Sequence, residues 1–251
     1  MSNQTLVVLQ ARMSSSRLPG KVMMEVNGRP MIYWQVQRIL KAKNVNSLVV
    51  ATSTDSTDDV LADFLEENSI NVYRGSLDNV LSRFIEVAEK YPHDALMRLT
   101  GDCPLTMPEL IDKMLDKFFD QDVDYLSNTL EPTFPDGLDI EIIKNGVLKK
   151  LSTFKLEPKE IEHVTYGIYT RPKVYKLFNY LNDSNKSLDR WTVDYQEDLD
   201  FVRLIFNEYR GREAEFTLQE VSEFLGANPR LQDLNRRNKR NEVLQNDNNH
   251  G

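Results

Sequence analysis

A single cysteine, Cys103, in a chain of 251 residues excludes any disulfide framework within it. The three histidines, His93, His163 and His250, stand far apart and give no zinc-ligand spacing with that cysteine. No apolar run approaches the ~18 residues of a membrane span. The run Leu6–Leu9 is too short for a signal peptide, and no basic stretch precedes it. Cations are in deficit, with 31 Lys and Arg against 39 Asp and Glu, a formal net charge of −8. That balance disfavours a bulk electrostatic grip on nucleic acid or an anionic membrane and leaves room for a local basic site. The Walker A pattern GxxxxGK[ST] is also missing. These absences lead to the expectation of a cytoplasmic protein whose partners are neither nucleic acid nor membrane.

What is present is ordinary globular composition, 40% hydrophobic and 28% charged. A chain of this size buries roughly 70–75% of its unfolded surface and needs no covalent staples. Its first half alternates regularly. Short apolar runs at Thr5–Gln10, Ser47–Thr52, Ile70–Tyr73, Asp94–Leu99 and Val123–Ser127 predict strands. Helical spacing over Met31–Ala42, Ser56–Asn68, Leu77–Lys90 and Pro108–Phe119 predicts the connections, with Ser56 and Asp59 resembling a capping box. This is the pattern of parallel βαβ units, an α/β fold with a mostly parallel sheet flanked by helices.

The second half is less regular. A half-buried strand is expected at Leu138–Ile143, helices at about 144–156 and 158–170, and a short strand at Asp189–Val193. Further helices are expected at about 196–210 and at Glu215–Leu225. One domain is expected over residues 1–230, with 138–189 an excursion from the alternation and 231–251 an extended or disordered tail.

In open parallel sheets, ligands bind beyond the carboxyl ends of the strands, and the unusual residues fall there. The loop QARMSSSRLPGK after the first strand gathers Arg12, Arg17 and Lys21 with three serines and a glycine. Polyphosphates are held by such fixed positive charge, hydroxyls and backbone N–H groups. The alternative is a solvated basic turn. Thr52 and Arg74 stand at the next two strand ends, where a nucleotide can pack. For Asp58 and Asp59, complementation of a helix dipole is the favoured reading.

In LTGDCP, Asp102 follows a strand and suits a magnesium ligand, since Mg²⁺ is typically held by one or two carboxylates plus substrate phosphates. Asp194 in RWTVDYQEDL is its natural partner, while Glu197 and Asp198 read as first-turn acids of the following helix. FPDGLDIE supplies Asp136, Asp139 and Glu141, a polar cluster for a polyhydroxylated acceptor that His163 and Arg190 extend, a purely structural role being the alternative for a lone histidine such as His163. Cys103 has no base at a suggestive spacing and reads as small filler beside Asp102.

The segments ARMSSSRLPGKVM, YRGSLDNVLSRF, RLTGDCPL, FPDGLDIE, EHVT and RWTVDYQEDL, in unbroken order from Leu6 to Phe206, resemble the motifs of the spore coat polysaccharide biosynthesis protein F family. That family lies within the cytidylyltransferase group containing the CMP-Kdo and CMP-acylneuraminate synthetases. The resemblance implies a GT-A-like, Rossmann-related nucleotidyltransferase that joins CTP to an acid sugar with Mg²⁺ and forms a homodimer through its excursion. It implies nucleotide binding by Ala11, Arg12, Ser15, Arg17, Lys21, Thr52, Arg74, Thr100 and Gly101. It implies a metal on Asp102 and Asp194, with catalysis resting on Arg12, Lys21 and those two aspartates. LTGDCP departs from the QGDEP-like segment of the Kdo synthetases, so their sugar specificity does not transfer. The rivals are a relative using another nucleotide or a sugar 1-phosphate, a GT-A glycosyltransferase, for which the DxD metal motif is missing, and a non-catalytic nucleotide-binding paralogue.

Overall fold

The computed structural model describes residues 3–236. In chain order, β1 is Thr5–Gln10, β2 Glu25–Val26, β3 Arg29–Pro30, α1 Met31–Ile39, β4 Ser47–Ser53, α2 Asp59–Glu67 and β5 Val72–Gly75. Next come α3 Val80–Lys90, β6 Ala95–Thr100, α4 Pro108–Asp120, β7 Tyr125–Ser127 and β8 Glu141–Lys144. The remainder is α5 Val147–Leu151, α6 Pro158–Glu162, α7 Tyr166–Tyr169, β9 Leu177–Asn179, α8 Gln196–Glu208 and α9 Leu218–Ala227.

Seven strands form one sheet in the order β5-β4-β1-β6-β8-β7-β9. The four at the β5 side run parallel, whereas β8 is antiparallel to both β6 and β7. Successive side chains of a strand point to opposite faces. Val7 and Leu9 of β1 therefore enter the core shared with α1, α2, α4, α8 and α9. Leu6 and Val8 enter the one shared with α3 and α5. Strands buried on both faces read as continuous apolar runs, which is why Thr5–Gln10 and Ser47–Ser53 are legible in the sequence.

The chain builds outward from β1 to β4 and β5, then returns to lay β6 on the other side of β1. The strand order reverses between β1 and β6, and a crevice opens at such a switch point. Gln10 is in register with Thr100, so the loops after these two strands face each other across that crevice.

Several elements differ from the sequence expectation for local reasons. Residues 138–140 are not ladder-paired, because the Asn128 amide substitutes for a neighbouring strand. Its Nδ2 donates to Leu138 O at 2.7 Å and its Oδ1 accepts from Ile140 N at 2.9 Å. Residues 189–193 form no strand but a single bridge between Asp136 and Arg190, since their N–H groups are divided between two loops. The two helical stretches expected over 144–170 are instead α5, α6 and α7. Val164 at φ 33 breaks the last two apart, a costly backbone state for a β-branched residue. The expected Ser56 cap is replaced by Asp55, whose carboxylate accepts from Thr57 N. The β2–β3 hairpin turns on Asn27 and Gly28, both at positive φ, an Asn-Gly signal the helical reading of its surroundings passed over. Pro229–Asp233 is a 3₁₀ turn, and Asn235 donates to Arg190 O at 2.9 Å. The rest of the expected tail, 237–251, lies outside the described residues.

Arg38 fastens α1 to the segment before α9. Its guanidinium is fully buried and donates to Thr106 O at 2.7 Å, Glu213 O at 2.9 Å and Phe216 O at 2.8 Å. Arg38→Met would leave three carbonyls without these donors, and we expect a loss of about 3 kcal/mol or more in a urea denaturation midpoint analysis. A loss under about 1 kcal/mol would mean these carbonyls find other partners.

Candidate functional site

The loop after β1 is shaped before any ligand arrives. Gly20 N donates back to Met13 O at 2.8 Å, and Gly20 itself sits at φ 72, which a side chain would strain. Asp58 pins the loop to β4. It is fully buried, accepting from Met13 N at 2.7 Å and Ser53 N at 3.1 Å. Its role is thus to hold this loop, which goes beyond helix-dipole complementation.

The loop delivers Lys21 into the crevice. Its ammonium donates to Val193 O at 2.7 Å and Asp194 Oδ1 at 2.9 Å, and reaches Asp102 Oδ2 at 3.3 Å. Arg17 Nη2 lies 2.7 Å from the same Asp194 oxygen. Lys21, Asp102 and Asp194 are therefore one cluster, drawn from three distant parts of the chain. Burial pushes the Asp102 carboxyl up, but the Lys21 charge and hydrogen bonds from Thr100, Cys103 and Lys21 outweigh it and leave the group at about 2. For Lys21, burial pulls the ammonium down, and the two carboxylates more than compensate, raising it.

Behind this cluster, Arg190 gathers three carboxylates. It contacts Asp136 Oδ2 at 3.0 Å, Asp194 Oδ2 at 3.0 Å and Asp198 Oδ1 at 2.9 Å. Asp198 also accepts from the N–H groups of Asp194 and Tyr195, capping α8. First-turn placement accounts for Asp198 only in part; its ion pair with Arg190 orients Asp194 as well. Gly137 lets this assembly close. It sits at φ 108, and a Cβ there would lie 2.4 Å from Thr192 N.

A cavity of about 440 Å³ opens onto the cluster. Its walls include Arg17, Asp102, Asp136, Asp139, Glu141, His163, Arg190 and Asp194, so all five acceptor-side residues singled out in the sequence are brought together. A larger cavity, about 630 Å³, lies behind the 189–191 segment against Phe134, Tyr180 and Trp191, but it holds none of the Lys21–Asp102–Asp194 groups. The charged cluster faces the smaller one.

The nucleotide-side residues are more dispersed. Ala11 and Gly101 pack so closely that a Cβ on Gly101 would meet that of Ala11 at 2.9 Å, which closes the strand ends together. Thr100 lines the cavity. Ser15 Oγ accepts from Leu18 N at 3.5 Å, and Arg12 is exposed. Thr52 is buried at the end of β4, and its Oγ1 has no partner among the described residues. Arg74 braces the loop after β4, donating to Ser53 O, Asp55 O and Asp59. Asp59 is thereby an ion-pair partner rather than only a first-turn acid.

Sequence reasoning missed Arg98, Tyr125, Thr165 and Tyr169. Arg98 pairs with Glu141, which also accepts from Tyr125 Oη at 2.5 Å and Thr165 Oγ1 at 2.6 Å. Arg98 continues to Gln10 Oε1 at 3.0 Å, so a polar line crosses from β1 to β8 beneath the cavity. An arginine inside the apolar run ALMRLT was the available signal.

The donor set suits a magnesium ion shared with phosphates. Asp102 and Asp194 are both oxygen donors that already converge on one cation, Lys21. No group of three or more metal-ligating side chains occurs among the described residues, so phosphate oxygens would have to complete the shell.

The charge cluster has a defined pH window. The folded pKa of Asp102 lies below its unfolded value near 3.9, so its contribution to stability is whole above about pH 4 and lost as pH falls through about 2. The raised Lys21 contributes below about pH 10 and loses that contribution above it. Urea midpoints measured from pH 5 to pH 2 should fall less steeply for Asp102→Asn than for the parent; an unchanged slope would contradict the pairing.

Comparison with known proteins identifies the family and the fold. The family profile described as cytidylyltransferase covers residues 6–209. The chain is 33% identical over 235 residues to the spore coat polysaccharide biosynthesis protein SpsF of Bacillus subtilis, spanning 90% of this chain and 96% of that one. It is 29% identical over 218 residues to a 3-deoxy-manno-octulosonate cytidylyltransferase of Chlorobium phaeobacteroides, covering 83% and 87%. A solved cytidylyltransferase from Leptospira borgpetersenii superposes with a TM-score of 0.85 at 29% identity, over 92% of this chain and 96% of that one. A CMP:2-keto-3-deoxy-manno-octonic acid synthetase solved with CTP shares the fold, with a TM-score of 0.64 at 19% identity over 82% and 99%.

Proposed function

The chain belongs to the cytidylyltransferase family, and from that membership and the geometry of its crevice we propose that it transfers CMP from CTP to a hydroxyl of an acid sugar, releasing pyrophosphate. The observation that carries this reading is the meeting of Lys21 and Arg17 with Asp102 and Asp194 at the switch point between β1 and β6. No helix among the described residues is long and apolar enough to cross a membrane.

In the proposed reaction, the sugar hydroxyl oxygen forms a bond to the α-phosphorus and gives up its proton to solvent water. The bond from that phosphorus to the oxygen bridging to the β-phosphate breaks, so that pyrophosphate leaves. Lys21 and Arg17, with Arg12 from the same loop, stabilise negative charge on the departing pyrophosphate. Asp102 and Asp194 would hold Mg²⁺, whose charge screens the phosphate oxygens when it is bound. Asp136, Asp139, Glu141, His163 and Arg190 line the cavity on the acceptor side and orient the sugar. Arg190 keeps Asp194 aimed while its own charge is held by three carboxylates, so it acts as a positioning residue. The similarity to a 3-deoxy-manno-octulosonate cytidylyltransferase supports an acid-sugar acceptor. Pairing of two chains through the 138–189 segment is part of the same reading, supported by Leu181 and Leu188, which are 56% and 94% exposed there.

Thermal shift with Mg²⁺ and each of CTP, UTP, GTP and ATP should give a selective rise with CTP. Pyrophosphate release should then identify the sugar in a screen of acid sugars. A selective rise with another nucleotide would transfer the reaction to that nucleotide. Asp102→Asn should lower turnover at least about 100-fold without unfolding the chain; retention of more than a few per cent of activity would remove Asp102 from the mechanism.

A further inference from the structure

Arg83, on α3, is not used by the chemistry described above, yet it is in an unusual state. The residue is 1% exposed, and Nε, Nη1 and Nη2 all lack a hydrogen-bond partner among the described residues. A guanidinium carries five donors, and leaving them unmet in a low-dielectric interior is strongly unfavourable. Three charged groups sit close enough to influence it, and one of them, Glu86, already accepts from Tyr73 Oη. Asp58 is another, but its oxygens already accept from Met13 N, Ser53 N and Ser53 Oγ. The third is Arg12, a like charge. Burial, eased by Asp58 and Glu86 and reinforced by Arg12, lowers the Arg83 pKa. The backbone makes room for the side chain: a Cβ on Gly75, the last residue of β5, would meet Arg83 Cγ at 3.0 Å and Cβ at 3.3 Å.

Its position within the sheet says what it faces. Asp102 follows β6 and Gly75 ends β5, with β1 and β4 between them. Three strand spacings separate those ends, roughly 14 Å. The acceptor cavity occupies the β8 side of Asp102, with Glu141 in its wall. A nucleoside triphosphate whose α-phosphorus lies by Asp102 and Asp194 therefore sends its base the other way, toward β4 and β5. Thr52, whose Oγ1 is also without a partner, marks the end of β4 on that path.

We infer that Arg83 reads the base of the nucleotide, donating two N–H groups to the adjacent O2 and N3 acceptors of cytosine. This rests on the reading of the protein as a CTP-using enzyme. Cytosine presents an unprotonated N3 beside O2, whereas uracil carries a proton on N3 and opposes a donor with a donor. A planar fork matches the first pair and not the second, as in the bidentate contacts arginine makes to guanine edges. The nitrogens are shielded from solvent, so seating the base requires the packing around them to yield.

The test is equilibrium binding of CTP, UTP and inorganic triphosphate, each with Mg²⁺, to the parent chain, Arg83→Met and Arg83→Lys. Methionine keeps an apolar stem and loses no native hydrogen bond, so Arg83→Met should fold with an unfolding midpoint equal to or above the parent's. CTP should bind it roughly 10- to 100-fold more weakly, and the preference for CTP over UTP should collapse toward one. Triphosphate binding should not change. Arg83→Lys, which keeps the charge but not the fork, should fail to restore the preference. A parental CTP-to-UTP ratio in Arg83→Met would overturn the inference, as would a loss of triphosphate binding parallel to the loss of CTP. A parent chain that does not prefer CTP would instead overturn the functional reading on which it stands.

Discussion

A buried ammonium between two carboxylates holds the crevice together. Lys21 comes from the loop after β1, Asp102 from the loop after β6, and Asp194 from the lead into α8, so this contact ties together three segments far apart in the chain. Taking such charges out of water is costly, and an isolated pair would gain little. The arrangement persists because each member has several partners: Val193 O for Lys21, Arg17 and Arg190 for Asp194, and Thr100 and Cys103 for Asp102. The carboxylates are thereby aimed by fixed partners, and the Lys21 charge keeps the Asp102 carboxyl well below the usual range. In the proposed reaction, preorganisation of this kind would remove a reorganisation cost.

The sheet supplies the frame for that contact. Reversal of strand order at β1 opens the crevice, and reversal of strand direction at β8 makes one of its walls. Because β8 runs antiparallel to β6, the start of β8 lies beside the end of β6, and Glu141 comes opposite Arg98. The excursion that breaks the βα alternation therefore furnishes the cavity wall carrying Asp136, Asp139 and Glu141, the side proposed for the acceptor. Gly137 and Asn128 let the chain turn into it, one by a positive φ and the other by substituting an amide for a strand.

The parallel half of the fold was legible because its strands are buried on both faces and its helices carry clear apolar stripes. What the sequence concealed depends on partners far along the chain. Leu177–Asn179 is a short, half-buried edge strand without alternation, so no periodicity announced it. The extended segment 189–193 has the composition of a strand, but its hydrogen bonds go to Asp102 and Asp136 rather than to a ladder. In the site, the charged residues at strand ends were visible one by one. Their pairing was partly visible, with Asp102 and Asp194 matched by type, while the placement of Lys21 between them was not. Asp58 and Asp198 both sit near helix starts, and that position masked their ties to Met13 and Arg190. Arg98 was hidden inside a core strand, where an apolar neighbourhood argues for packing rather than chemistry.

The linkage of Lys21 to Asp194 spans 173 residues. Loop closure over such a distance is entropically expensive and contributes only once the intervening sheet exists. During synthesis, the Lys21-bearing loop leaves the ribosome early, Asp102 follows near mid-chain, and Asp194 arrives only with the last quarter of the chain. Until then the counter-charges of its cations are not fully assembled. A partly made chain thus carries the loop without the crevice, and the site comes into being as a late event of folding rather than as a property of the N-terminal half.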